Sequence, residues 1–205
     1  MGLREQKARL VRYAIYEATL SLAEEVGYEA ATIDQVADRA EVGVSTVYRY
    51  FENKDAILLA PIEEGIGALA TSFASRPPDE DVPTALAHAI SSVLDRSEED
   101  RAAIRRLSAQ IDLASGPRAR LWDLRNRQRT LLEEAVLARL GADADPLWAA
   151  AAARTSTMVV EMAGENDRLD QSQTPYEFFR RTLSMLHGEN PPLPAIVEPA
   201  PLPGD

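Results

Sequence analysis

Helix start and stop signatures recur along this chain at short intervals, and nothing between them reads as a strand. Val11, Ala14, Ile15, Ala18 and Leu22 fall at three- and four-residue steps, the period of one helical face. Gly27 supplies the stop. Thr32 with Gln35 three residues on is a capping box. Asn53 caps a helix that begins at Lys54, and Pro61 inside it should kink it by removing a backbone donor. The segment 75–83, rich in Pro and acid, is a break, and Asp81 with Pro83 opens a helix to about Arg96. Ser97 ahead of Glu98, Glu99 and Asp100 starts the next, with Ile104, Leu107 and Ile111 as its stripe. Gly116-Pro117 predicts a further break, then a long helix to Leu140 closed by Gly141. Asp145-Pro146 opens a helix to Gly164. Thr174-Pro175-Tyr176-Glu177 opens the last, which ends at Gly188. The fold class is therefore all-α.

Composition narrows the function classes. The chain has 205 residues, 45% of them hydrophobic, enough for a sizeable core. It has no Cys, and its only histidines are His88 and His187, which argues against disulfides, a thiol nucleophile and a metal site. No nucleophile with a nearby base and no Gly-rich phosphate loop is visible, so we expect no enzyme and no cofactor. No run approaches the ~18 apolar residues of a membrane span. The N-terminus is charged without an apolar core, so we expect a cytoplasmic protein with no membrane partner. Net charge is −11, usually unfavourable for nucleic acid. The first twelve residues nevertheless hold Arg4, Lys7, Arg9 and Arg12 against Glu5 alone. They fit either an ordinary solvated helix start or a DNA-proximal arm.

The most informative stretch is Gly27 to Leu58. Thr32 to Ala40 is one short helix, Glu41-Val42-Gly43 a tight turn, and Val44 to Phe51 a second short helix with Val47 and Phe51 facing inward. Two short helices joined in this way on a longer one form a helix-turn-helix. The outward arc of the second carries Ser45, Thr46, Tyr48 and Arg49, with Tyr50 at its margin. Hydroxyls, a guanidinium and aromatic edges suit phosphates and base edges. The tyrosines also fit a purely structural reading as core aromatics. Lys54 lies in the first turn of the following helix, where it and the backbone N–H groups suit one phosphate.

In Gly27-Tyr28, Thr32, the Ala37 and Ala40 spacing, Thr46-Val47-Tyr48-x-Tyr50-Phe51 and Asn53-Lys54, the chain resembles the TetR family of bacterial transcriptional regulators over residues 10–58. The resemblance implies a homodimeric DNA-binding protein, usually a repressor, whose C-terminal helical domain holds an inducer pocket. It also implies that the last two helices pair across a two-fold axis. Carried over, Thr32 is a cap that meets a phosphate, Val44 and Ser45 meet base edges, and Thr46, Tyr48, Tyr50 and Lys54 contact phosphates. Arg49 reads a guanine or binds a phosphate. Glu41 stands where the family usually has the turn glycine, a position that often needs positive φ. Gly43 stands where Ser often caps the recognition helix, Ser45 replaces a frequent Gly, and Ala23 replaces a usual aromatic, so packing there should differ.

The expected organisation is a helix-turn-helix domain over 1–52, a helical ligand-binding and dimerisation domain over 53–188, and an unpacked Pro-rich tail over 189–205. The dimer contact is expected through 146–164 and 175–187, with Tyr176, Phe179, Leu183 and Leu186 on one stripe beside Phe178 and Met185. On the long helix, Gln128 interrupts an inward stripe of Leu121, Leu124, Leu131, Leu132 and Ala135. With Gln110, Thr155, Trp122 and His88 it is a candidate ligand site. Its ligand would be an inducer that is apolar or cationic, since residues 61–205 carry net −8. The same polar groups also fit a reading in which they pair with one another or reach solvent. The alternative function is a small-molecule-binding protein on this scaffold that has lost specific DNA binding.

Overall fold

The computed structural model describes residues 2–142, 144–164, 173–189 and 192. The described residues form eleven helices and no strand. In order these are α1 (Leu3–Val26), α2 (Ile33–Arg39), α3 (Val44–Tyr50), α4 (Lys54–Leu58), α5 (Ala60–Glu64), α6 (Ala68–Ala74), α7 (Val82–Leu94), α8 (Glu98–Leu113), α9 (Ser115–Leu140), α10 (Pro146–Gly164) and α11 (Pro175–Leu186). The chain divides into two compact units, Met1–Met158 and Val159–Asp205.

The caps lie where the sequence places them. Gly27 ends α1 at φ 86°. Thr32 accepts from the Gln35 backbone N–H while the Gln35 side chain accepts from the Thr32 N–H. Asn53, Asp81, Ser97 and Thr174 cap α4, α7, α8 and α11 in the same way, through a backbone N–H three residues on. Two expectations change. The segment 54–74 is three short helices rather than one kinked helix. Pro61 sits at the start of α5, and Gly67 at φ 85° turns the chain into α6. Gly116-Pro117 does not break a helix but lies in the first turn of α9, where a missing N–H costs nothing; the chain bends at Ala114 instead.

In the first unit, Ile15, Leu20, Val36, Val47, Ile57 and Leu58 are fully buried and form one cluster with Leu107, Ile111, Ala114 and Leu124 of α8 and α9. Each buried Val, Ile or Leu side chain contributes roughly 1.5–3 kcal/mol. The helices of 1–52 thus have their core completed by much later ones. Leu69 and Phe73 of α6 pack toward α7 and α9, which bury Ala85, Ala89, Leu132 and Val136. Arg139 staples the end of α9 to the α6–α7 loop. Its guanidinium donates to the carbonyls of Pro77 and Glu80, the latter at 2.8 Å, and lies 5.2 Å from the Phe73 ring centre.

In the second unit, Val159, Ala163, Phe178, Phe179 and Thr182 are buried. Phe178 and Phe179, placed by the sequence at the expected dimer contact, are therefore already buried in the single chain, Phe179 to 3% exposure. The side chains that remain open are Tyr176 and Met185, at 46% and 45%. The Pro-rich segment expected to be unpacked lies outside the described residues except at 189 and 192.

Candidate nucleic-acid interface

The α2–α3 turn is built by backbone geometry. Ala40 ends α2, Glu41 takes φ 54°, and the Val42 N–H returns to the Ala37 carbonyl at 3.0 Å. Glu41 is the only non-glycine with positive φ among the described residues. That conformation costs an L-residue roughly 1–2 kcal/mol. Gly43 then caps α3 with no side-chain bond, and its carbonyl accepts from Thr46 N–H at 2.8 Å. Val47 is 1% exposed and locks α3 onto Val36 and Ala37 of α2.

This seating settles which α3 residues face out. Ser45, Tyr48 and Arg49 are exposed, Tyr48 to 57%, while Val44, Thr46 and Tyr50 are half-buried. The Arg49 guanidinium lies 5.2 Å over the Tyr50 ring, an arrangement that preorganises both groups at the margin of the face. Thr32 is exposed at the start of α2. The arc read from the sequence is therefore a single surface along α3.

Lys54, expected to meet phosphate, and Arg12, which fits either a solvated helix start or a DNA-proximal arm, both bond within the scaffold. Lys54 points its ammonium at the α1–α2 loop. Nζ donates to the carbonyls of Tyr28 at 2.6 Å, Ala31 at 2.8 Å and Glu29 at 3.5 Å, and lies 4.3 Å over the Tyr28 ring. Its donors are thus occupied in this structure, and it acts as a positioning residue. Arg12 donates to the Tyr50 carbonyl at 3.3 Å, pairs with Glu64 at 2.9 Å and lies 4.6 Å over the Phe51 ring. It fixes the end of α3 to α1. Arg4, Lys7 and Arg9, by contrast, are exposed and make no ion pair among the described residues. Neither long-range role carries a local signal in the sequence.

A third contact belongs with these. The buried Tyr28 hydroxyl bonds the Asp55 carboxylate, and burial pushes the phenol well above its usual range. Asp55 also abuts the first turn of α9: a Cβ on Gly116 would lie 2.6 Å from Asp55 Oδ2. The α1–α2 loop, α4 and the start of α9 therefore meet at one point. Nearby, Arg106 of α8 clamps Glu24 at 2.8 Å and Glu17 at 3.2 Å on α1. The Arg106 hydrogen bond holds the Glu24 carboxyl below its ordinary value.

Of the candidate ligand residues, only Gln110 lines the depression between α1 and α8. Gln110, buried at 9% exposure, lines a depression of about 420 Å³ where the end of α1 meets the end of α8. None of His88, Trp122, Gln128 or Thr155 lines it. His88 is exposed and its Nδ1 meets Glu80 at 2.8 Å; the bond from Arg76 is the larger cause holding the Glu80 carboxyl down to about 2. Trp122 is 64% exposed, Thr155 is exposed, and Gln128 is half-buried on α9. Helical spacing placed them on faces but did not say which faces meet. Among the described residues no cluster of His, Asp or Glu is arranged to hold a metal, and no helix is long and apolar enough to cross a membrane.

Residues 15–60, which span most of α1 and all of α2, α3 and α4, match the family model described as bacterial regulatory proteins, tetR family. Over these residues the chain is similar to the TetR family. A curated relative, the HTH-type transcriptional regulator TcmR of Streptomyces glaucescens, is 34% identical over 95 residues, 46% of this chain and 42% of that protein. The HTH-type transcriptional repressor KstR of Mycobacterium tuberculosis is 42% identical over 62 residues, 30% of this chain and 27% of that protein. The matches thus span less than half the length of these curated relatives. The fold extends further: the Bacillus subtilis transcriptional regulator FadR, solved with stearoyl-CoA, superposes with a TM-score of 0.58 at 17% identity. That superposition covers 85% of this chain and 96% of that one.

Proposed function

We propose that this chain is a homodimeric transcriptional regulator that binds a two-fold symmetric DNA site through α3, acts as a repressor, and is released by a small molecule. The observation that carries the reading is the solvent-facing arc of Ser45, Tyr48 and Arg49 on a helix whose seat is fixed by Val47, Arg12 and the Glu41 turn. One such helix reads too few base pairs alone, so two copies on a palindrome are needed. Val44 and Ser45 meet base edges, Thr32, Thr46, Tyr48 and Tyr50 meet phosphates, and Arg49 meets either. Lys54 supports this surface from behind. Arg4, Lys7 and Arg9, which make no ion pair among the described residues, supply further phosphate neutralisation in a chain of net −11. Repression is supported by the repressor among the relatives, and release by a small molecule by the ligand-bearing neighbour of the same fold.

The dimer forms through 146–164 and 175–187. Support comes from the exposed Leu147, Trp148 and Met158 of the first unit and, in the second, from Tyr176 and Met185. In each unit taken by itself, solvent-facing apolar side chains of this kind favour an interface. Selection from a random duplex library tests the function as a whole: a palindromic site should emerge, bound with a log–log salt slope of about −0.9 per phosphate contacted. Recovery of no sequence above background contradicts it.

A further inference from the structure

The depression beside Gln110 is built like a ligand site in its own right. Ala23 and Tyr28, almost fully buried, form its floor, and Val26, Ala30 and Leu113 form its rim. Val26 is 51% and Leu113 79% exposed, so the rim presents apolar surface that nothing in the first unit covers. Gln110 is nine-tenths buried against this space, and its amide makes no hydrogen bond among the described residues. No buried side-chain nitrogen or oxygen is shut away unpaired among those residues, so the amide looks to solvent through the opening. A polar group held this way favours an occupant that pairs with it.

The charges select the occupant. The lining includes two carboxylates, Glu24 and Glu29, and no basic side chain. Glu24 is already neutralised by Arg106 at 2.8 Å. Glu29 makes no ion pair among the described residues. An anion would meet uncompensated negative charge, and a wholly apolar molecule would leave the Gln110 amide unpaired. We propose that this depression binds a small amphipathic organic cation, with its nitrogen between the Gln110 carbonyl and Glu29 and its apolar body against Val26, Ala30 and Leu113. The volume of about 420 Å³ lies within the range of small-molecule sites. The site rests on the loop whose carbonyls Lys54 holds, and it stands whether or not the chain binds DNA.

Calorimetric titration of the full chain with 2-phenylethylammonium, 2-phenylethanol and 3-phenylpropanoate tests it. The cation should bind saturably with Kd below about 1 mM, the alcohol at least several-fold more weakly, and the carboxylate not at all. Ala30→Trp, which fills the mouth from an exposed position, should abolish binding. Glu29→Gln should weaken it about tenfold. Thermal melts of both variants confirm that each is folded. Absence of saturable binding by the cation, equal binding of the three probes, or unchanged binding by Ala30→Trp overturns the proposal.

Discussion

The head formed by α1–α4 and the long-helix half formed by α7–α9 use the same residue types differently. In the head, Arg12 and Lys54 spend their charge on backbone carbonyls and ring faces 23 to 39 residues away. These bonds fix where α3 lies relative to α1 and α4. On α9, Arg118, Arg120, Arg127 and Arg129 make no ion pair among the described residues, and Trp122 stands in solvent. One region is tied down around a single exposed arc; the other is anchored through Arg106 and Arg139, and between those anchors the middle of α9 presents polar side chains above its buried face. A cation counts toward a site only after its bonds are known.

Breaking the ties should therefore cost the head more than it costs the long helix. The largest loss is expected for Lys54→Met, which leaves the Tyr28 and Ala31 carbonyls without their charged donor. Hydrogen bonds to a charged group are worth about 2 kcal/mol, to be read as a fall in denaturation midpoint. Arg12→Ala should cost about 1.5 kcal/mol by the same measurement, through the Tyr50 carbonyl bond and the Phe51 stacking. It should also weaken binding to all duplexes alike. Arg127→Ala on α9, exposed and without an ion pair, should stay within about 0.5 kcal/mol of the parent. Equal losses at Arg12 and Arg127 would erase the contrast.

Two substitutions sharpen it from the stabilising side. Glu41→Gly should raise stability by about 1 kcal/mol in a thermal melt, because φ 54° is free of strain only for glycine. Gly43→Ser should add a few tenths of a kcal/mol. The backbone there is already extended at φ −73°, ψ 147°, and a Cβ would stand 3.7 Å from Ser45 Oγ. A destabilised Gly43→Ser would show that the α3 start is closer packed than its geometry indicates.

What the sequence makes legible follows from range. Thr32 with Gln35, Asn53, Ser97 and Thr174 cap through bonds spanning three residues, so their spacing suffices to place them. The positive φ at Glu41 is legible through the resemblance to the TetR family alone, as a turn-glycine position without glycine. The inward pair Val47 and Phe51 follows from period alone. The partners of Lys54 and Arg12, and the meeting of Tyr28, Asp55 and Gly116, depend on how distant helices dock, which no local pattern encodes. Which of the candidate ligand residues share a cavity depends on the same docking: only Gln110 lines the described depression, and Gln110 and Gln128 lie on correctly read helices whose neighbours the pattern does not specify. The division of 54–74 lay in a signal that is local, Pro61 followed by Gly65 and Gly67.

The contrast between the two regions can be measured at two matched aromatic positions. Tyr48 on α3 is 57% exposed and Trp122 on α9 is 64% exposed, so exposure alone does not distinguish them. Each is replaced in turn by the photoreactive p-benzoylphenylalanine, and the protein is irradiated with the selected duplex. A covalent DNA adduct should form at position 48 and none at position 122. No adduct at 48, or an equal yield at 122, would contradict the assignment of α3 as the surface that meets DNA.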